Sequence, residues 1–437
     1  MSKAEQIKNS IHQLVEEYHQ LKFPQQEFVP GVSTIPVSGK LIDHNELIAI
    51  TDAALDAWFT TGRFNSEFEK NLAKYIGVKH LITVNSGSSA NLVAFSVLTA
   101  SEHGEKAIKP GDEVITVAAS FPTTINPIIQ YGAIPVFLDV DIPTYEIKIE
   151  DLEKALSPKT KAVVIAHTMG NAFNLDAITA FCKKYGLWLM EDCCDALGTT
   201  YKGKHVGTFG DIATLSFYPA HHITMGEGGA VYLSNSKLKK IAESFRDWGR
   251  DCWCEPGKDN TCGKRFCQQC GDLPFGYDHK YIYSRSGFNL KITDMQAALG
   301  LAQLDKLQHF VNRRKENFEA LKKGLKKWEH KLILPKATEH SDPSWFGFLI
   351  TIRTDAGITR NELIEKLTEH KIGTRLLFAG DIRKQPYFKN VTYRNVGTFD
   401  NTELIVNQTF WVGVCPSINS SMVGFVVSVF DEIMAKY

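Results

Sequence analysis

The chain has 437 residues, which at roughly 150 per domain allows about three domains or two large ones. Hydrophobic residues make up 43% and charged residues 22%, with 32 Gly and 16 Pro, the composition of a compact globular protein and not of a disordered or fibrous one. Lys plus Arg and Asp plus Glu both number 49, so the basic excess of a duplex-binding or membrane-surface protein is missing.

The N-terminal Met-Ser-Lys-Ala-Glu-Gln has no apolar core of a secretion signal, and no run approaches the roughly 18 apolar residues of a membrane span. The expectation is a cytoplasmic protein with neither nucleic acid nor membrane as partner. Ile7, Ile11, Leu14 and Val15 recur at helical spacing and predict an amphipathic helix, ended by Pro24 and laid on another element. Apolar runs at 81–84, 113–117, 134–138, 162–166 and 187–190 then alternate with helix-like stretches such as 90–98, and 212–218 and 229–233 add two more strands. This rhythm predicts βαβ units, hence an α/β fold with a mainly parallel sheet covered on both faces.

Residues 249–285 break the rhythm with Cys, Gly, Pro and aromatics and no period, a long insertion of the functional or disordered kind. Residues 292–307 predict a long amphipathic helix that continues past the basic stretch at 313–315 and connects to a second domain. There, 345–352 predicts a strand, Thr359 and Glu362 a capping box, and 421–434 a closing helix. The chain thus divides into an N-terminal helical segment (1–40), a large domain (41–325) and a smaller C-terminal α/β domain (326–437).

Asn85-Ser86-Gly87-Ser88-Ser89-Ala90-Asn91 lies between an apolar strand and a helix. Glycine permits close backbone approach and the first helical turn presents free N–H groups, which makes either a phosphate cradle or a serine-rich N-cap. Glu191-Asp192 falls at the end of a predicted strand, where ligands of open α/β sheets bind, although a carboxylate there also caps turns. Nine cysteines in a cytoplasmic chain read as ligands, nucleophiles or buried apolar residues before disulfides. Cys252, Cys254, Cys262, Cys267 and Cys270 fall within nineteen residues and need a chemical explanation.

The run from Ser216-Phe217 through His221-His222 to Gly226-Glu227-Gly228-Gly229 brings in a resemblance. Together with Gly111-Asp112-Glu113, Gly132-Ala133 with Asp139, Gly207-Thr208-Phe209-Gly210-Asp211, and Asn289 followed by Asp294-Met295-Gln296, it resembles the sugar aminotransferase and dehydratase family. The resemblance covers most of 40–435 and implies the fold type I, aspartate aminotransferase-like architecture of pyridoxal phosphate-dependent transferases. In that family a lysine five residues after the Ser-Phe serine holds the cofactor as a Schiff base, and here the position is His221. Imidazole cannot form that bond but can move protons. The replacement resembles the pyridoxamine phosphate-dependent 3-dehydratases of dideoxysugar pathways and implies His221 as the catalytic base.

The same resemblance implies that Asp192 pairs with the pyridine nitrogen and that Gly87, Ser88, Ser89 and Ser216 hold the phosphate. It implies that Asn289 joins them from a neighbouring subunit of a homodimer and that Phe121 stacks on the ring. His167 and Asn171 follow a strand and touch either the ligand or only the protein. Cys194, Cys252, Cys254 and Cys262 give C-x57-C-x-C-x7-C, similar to the [2Fe–2S] motif of the 3-dehydratases of 3,6-dideoxyhexose biosynthesis. Cys194 lies two residues, about 7 Å of extended chain, from Asp192, so a cluster held there would be close to the cofactor. The implied substrate is CDP-4-keto-6-deoxy-D-glucose, with electrons from a separate NAD(P)H-dependent flavin or iron–sulfur reductase. A zinc site using Cys267 and Cys270, a dTDP- or GDP-sugar 3-dehydratase, and a catalytically silent cofactor- and metal-binding sensor are the rival readings.

Overall fold

The computed structural model describes residues 1–24 and 26–437. The strands of its two larger sheets, in chain order, are β1 (His80–Val84), β2 (Glu113–Val117), β3 (Ile134–Leu138), β4 (Thr160–Ala166), β5 (Trp188–Asp192), β6 (Ile212–Ser216), β7 (Gly229–Leu233), β8 (Leu332–Ile333), β9 (Gly347–Ile352), β10 (Thr374–Arg375), β11 (Arg394–Asn395) and β12 (Thr409–Gly413). Eight of them form one sheet in the order β1-β7-β6-β5-β4-β2-β3-β11. The ladders from β6 through β11 are parallel, and β7 runs antiparallel to both β6 and β1.

Helices α1 (Lys3–Lys22), α2 (His44–Leu55), α3 (Arg63–Ile76), α4 (Gly87–Leu98), α5 (Pro122–Gln130), α6 (Leu175–Tyr185) and α7 (Ser236–Arg246) precede the insertion, and α8 (Asp294–Leu304) and α9 (Leu307–Leu325) follow it. Successive strand residues feed opposite faces. Ile115, Val163 and Leu189 enter one core with α3 and α6, while Val114, Val164 and Met190 enter another with α4 and α7. Covering on both faces explains why these strands are continuous apolar runs.

The long connector is interrupted where one helix was expected. It turns at Asp305 and Lys306, and the Lys306 ammonium reaches back to Asp43 and to the buried Glu46 on α2. Phe310 and Val311 of α9 pack in the large core, whereas Phe318, Leu321 and Leu325 pack in a second core around the sheet β8-β9-β12-β10. That smaller unit adds α10 (Arg360–Glu369), opened by the Thr359/Glu362 capping box, α11 (Asp400–Gln408) and α12 (Ser420–Met434). Its chain also returns to the large sheet, because β11 pairs with the edge of β3 and Arg394 forms a two-pronged ion pair with Glu113.

Helix α1 has no buried residue; Ile11, Leu14, Val15 and Tyr18 face Leu47 and Ile50 of α2, and Lys8 and His12 pair with Asp52. Residues 249–285 contain a single short helical turn, His279–Tyr281, and a bridge between Arg250 and Tyr283. No helix among the described residues is long and apolar enough to cross a membrane.

Phe68 of α3 is fully buried and meets the Phe217 ring edge-on at a centroid distance of 5.4 Å, directly behind Ser216. Replacing Phe68 with Ala should cost about 3–5 kcal/mol, read as a lower denaturant midpoint with an unchanged slope. A loss below about 1 kcal/mol would mean that the core behind the site collapses to fill the space.

Candidate active site

The site lies at the carboxyl ends of β5 and β6, where the first turn of α4 approaches them. Ser86 caps α4, its hydroxyl accepting from the Ser89 amide at 3.0 Å and donating to the Ser89 hydroxyl. Gly87 is obligatory for a steric reason, since a Cβ there would stand 2.4 Å from the Cβ of Ser216 and 3.2 Å from the Cys194 sulfur. The amides of this turn, the exposed Ser88, the half-buried Ser89 and the buried Ser216 therefore converge as a cradle at a helix N-terminus, a setting that favours an anion.

Asp192 is buried at the end of β5. One oxygen accepts from Asn91 at 2.8 Å and from Thr124 at 2.7 Å; the other accepts from the Cys194 amide at 3.1 Å. Thr214 donates to Asn91 and closes the set. Phe121, 46% exposed, begins the helical turn that carries Thr124, and its ring meets Phe378 edge-on.

The neighbouring Glu191 has another task. It accepts from the amides of Gly207, Phe209 and Gly210 and pairs with His167, which stacks on Phe173 at 4.2 Å. Asn171 is bonded to backbone groups of Thr144, Lys336 and Thr338. His167 and Asn171 are thus parts of the framework, and the Gly207–Gly210 turn is wrapped around a carboxylate.

His221 donates its Nδ1–H to the Cys194 carbonyl at 2.6 Å, which leaves Nε2 as the basic nitrogen. Burial lowers its pKa to about 4, despite the carbonyl contact, and the Arg314 guanidinium adds to the lowering. Arg314 is itself buried and ties together the carbonyls of His221, Trp345 and Phe346. Asp195 is 3.9 Å from the imidazole; burial and the Asp192 charge push its carboxyl up to about 8. Phe346 flanks the His221 ring at 5.2 Å. Thr124, Asp195, Arg314 and Phe346 went unread in the sequence, and Asn91 was read only as the end of the cradle motif. Only Asn91 carried a usable signal, being one turn beyond Gly87 on α4.

The cysteines separate into two environments. Cys252, Cys254 and Cys262 place their sulfurs within 4.8 Å of one another. Burial pushes the Cys252 thiol up to about 11, whereas at Cys254 hydrogen bonds with Thr261, Cys262 and Cys252 outweigh burial and leave it at about 7. Cys194 is outside that group, against Gly87, and burial and Asp192 hold its thiol well above the ordinary range. Cys267 is exposed and Cys270 partly so, and neither joins the group. Cys182, Cys193 and Cys415 are buried. Asn289 is exposed and its side chain accepts from Lys291, while the adjacent Leu290 carbonyl accepts from the Asn85 amide. A cavity of about 1090 Å³ lies beside the cysteine-rich segment; Trp58, Arg63, Arg246, Arg250, Cys252 and Cys254 are among its walls.

A doubly covered α/β sheet with a helix N-terminus, a buried carboxylate and a basic imidazole at one end defines an enzyme of the aspartate aminotransferase-like fold. Residues 40–431 match the DegT/DnrJ/EryC1/StrS aminotransferase family, and the chain belongs to it. It is 60% identical to the lipopolysaccharide biosynthesis protein RfbH of Salmonella typhimurium, over 98% of both chains. It is 49% identical to a dTDP-4-dehydro-2,6-dideoxy-D-glucose 3-dehydratase of Saccharopolyspora spinosa, over 98% of this chain and 92% of the relative. The crystal structure of an Escherichia coli GDP-4-keto-6-deoxy-D-mannose 3-dehydratase with bound hydrated pyridoxal phosphate superposes with a TM-score of 0.82 at 29% identity, covering 90% of this chain and 98% of that one.

The His221 ring should remain neutral down to about pH 4, the proton absent from Nε2 above that value and bound below it. Nitrogen-15 NMR of the imidazole across pH 3–8 checks this; a midpoint near the unperturbed value of about 6.5 would contradict the burial argument.

Proposed function

We propose that the protein is a pyridoxamine phosphate-dependent sugar 3-dehydratase. It removes the C3 hydroxyl of CDP-4-keto-6-deoxy-D-glucose in making 3,6-dideoxyhexoses for surface polysaccharide, and it works in the cytoplasm. The observation that carries this reading is His221, a neutral base at the position where the family's aminotransferases carry their lysine, with Nδ1–H committed to Cys194 and Nε2 free. The two kinds of 3-dehydratase among its relatives support the reaction class. The cytidine assignment rests on overall resemblance, since no residue pattern reads the base.

The site suits the cofactor. A Cβ at residue 87 would fill the cradle, and the buried Asp192 has its carboxylate held by neutral donors only. When bound, pyridoxamine phosphate supplies an amine for the C4 ketone and a ring that accepts electron density as the C3–O bond breaks. Ser88, Ser89 and Ser216 with the turn amides would hold the phosphate, Asp192 the ring nitrogen, and Phe121 one ring face. His221 Nε2 takes up a proton and returns it to the departing C3 oxygen, because hydroxide leaves poorly unless protonated. Arg314 fixes the backbone of His221, so that the base keeps its place through both transfers. The exposed Asn289, whose side-chain oxygen accepts from Lys291, is assigned to a partner subunit's cradle in at least a homodimer.

Cys252, Cys254 and Cys262, with Cys194 as the remote fourth cysteine, are assigned as a metal site, read as the [2Fe–2S] centre that takes single electrons from a separate NAD(P)H-dependent flavin or iron–sulfur reductase. The compact trio suits thiolate ligation. The rival reading is a zinc site that uses Cys267 and Cys270 with two upstream cysteines, and the grouping of Cys252, Cys254 and Cys262 without those two favours the cluster.

The test supplies protein loaded with pyridoxamine phosphate with CDP-, dTDP- and GDP-linked 4-keto-6-deoxyhexoses and a one-electron donor, and follows loss of the C3 oxygen by NMR. Turnover should be fastest with the CDP sugar. His221→Asn should retain the cofactor and slow C3–O cleavage by about 10²–10⁴-fold. Undiminished cleavage would overturn the role of the imidazole.

A further inference from the structure

Phe378 holds a backbone conformation that its side chain opposes. It sits at φ +43, in the left-handed region, where a bulky residue is an outlier that persists only when its surroundings dictate it. Such strain concentrates where a side chain has a task. Phe378 lies just past β10, in the small domain, yet it packs against the core of the large one. Its ring meets that of Phe121 with centroids 5.9 Å apart and planes at 74°, the edge-to-face geometry that aromatic quadrupoles favour. Phe121 is still half-exposed, so this contact holds the ring and leaves part of it open.

The backbone around both rings is sewn across the domain boundary. The Ala379 amide donates to the Ser120 carbonyl at 3.3 Å and the Ile382 amide to the Ala118 carbonyl at 3.0 Å, just ahead of Phe121. On one side of Phe378 the Trp411 indole of β12 donates to the Leu376 carbonyl at 3.1 Å; on the other the Gln385 amide group donates to the Ala379 carbonyl at 2.8 Å. Ile382 and Phe388 pack with Ala118 and Ile125, and the Tyr387 hydroxyl donates to Asn126 on α5. Residues 376–388 therefore grip the end of α5 that bears Phe121 and also Thr124, a donor to Asp192.

We infer that Phe378 is a positioning residue for the cofactor: it fixes the Phe121 ring, and its strained backbone is what brings it there from the small domain. A ring held in advance loses less rotamer freedom when a ligand stacks on it. This rests on the assignment of Phe121 to the face of the pyridoxamine phosphate ring, and the experiment separates the two. The full chain, stripped of cofactor, is titrated with pyridoxamine phosphate alone, and both the dissociation constant and the induced circular dichroism of the bound ring are followed.

Phe121→Ala and Phe378→Ala should each weaken binding and diminish the dichroic band, Phe378→Ala by about 2–10-fold in the constant. Phe378→Tyr, which keeps an aromatic edge, should restore both. The double variant should bind no more weakly than Phe121→Ala, because a residue that acts only through another adds nothing once that one is gone. Phe378→Gly should share the binding defect of Phe378→Ala but unfold at a higher denaturant midpoint, the reverse of the usual order, since glycine takes up φ +43 freely. An unchanged constant and band in Phe378→Ala beside a loss in Phe121→Ala, or additive losses in the double variant, would overturn the positioning role and leave the stacking assignment. A glycine midpoint at or below that of alanine would overturn the strain. Binding unaffected by Phe121→Ala would overturn the stacking assignment and the inference with it, and a wild type that binds no pyridoxamine phosphate would overturn the cofactor reading itself.

Discussion

Two adjacent carboxylates at the end of β5 organise everything around them. Glu191 and Asp192 point to opposite sides of the sheet, as consecutive strand residues must, and neither has access to bulk water. A buried carboxylate has to collect donors from the protein, so each gathers chain from elsewhere. Glu191 draws in the three amides of the Gly207–Gly210 turn, where Gly207 at φ +82 packs so closely on the Tyr232 phenol that no larger residue fits. Asp192 draws in Asn91 from α4 and Thr124 from α5. One residue closes the framework and its neighbour aims the helix N-termini at a single point.

His221 depends on that point. Its partner is the carbonyl of Cys194, two residues beyond Asp192, and the Cys194 amide is held by Asp192 itself. The base is therefore oriented by the same carboxylate that is assigned to the cofactor ring. A change at Asp192 would disturb both ends of the reaction at once, and the contribution of either could be isolated only through Thr124 or Asn91.

The seven major strands were legible to within a residue or two, because strands buried on both faces have no choice but to be apolar throughout. β11 was invisible: Arg394–Asn395 is polar, two residues long, and is a strand only because β3 offers it an edge. The break at Asp305–Lys306 was invisible too, since the apolar period continues across it. The cradle and Asp192 were singled out by their places at a strand–helix turn and a strand end, and His221 by the resemblance to the family; the structure brings the three together. Arg314 was not singled out, because a buried arginine reads like any basic residue until the three carbonyls it serves are seen. The cysteine spacing led to the compact trio, but the long interval before Cys252 says nothing about distance in space.

The return of the chain to form β11 bears on synthesis. Until residue 395 has been made, β3 is an open parallel edge whose amides and carbonyls have no partner, and Glu113 lacks its arginine. A nascent chain therefore carries a nearly complete α/β sheet with one sticky side while the insertion and the first part of the small domain are being translated. Arg394 and Asn395 seal that edge, so a chain cut short of them should lose solubility before it loses the residues of the cradle and His221.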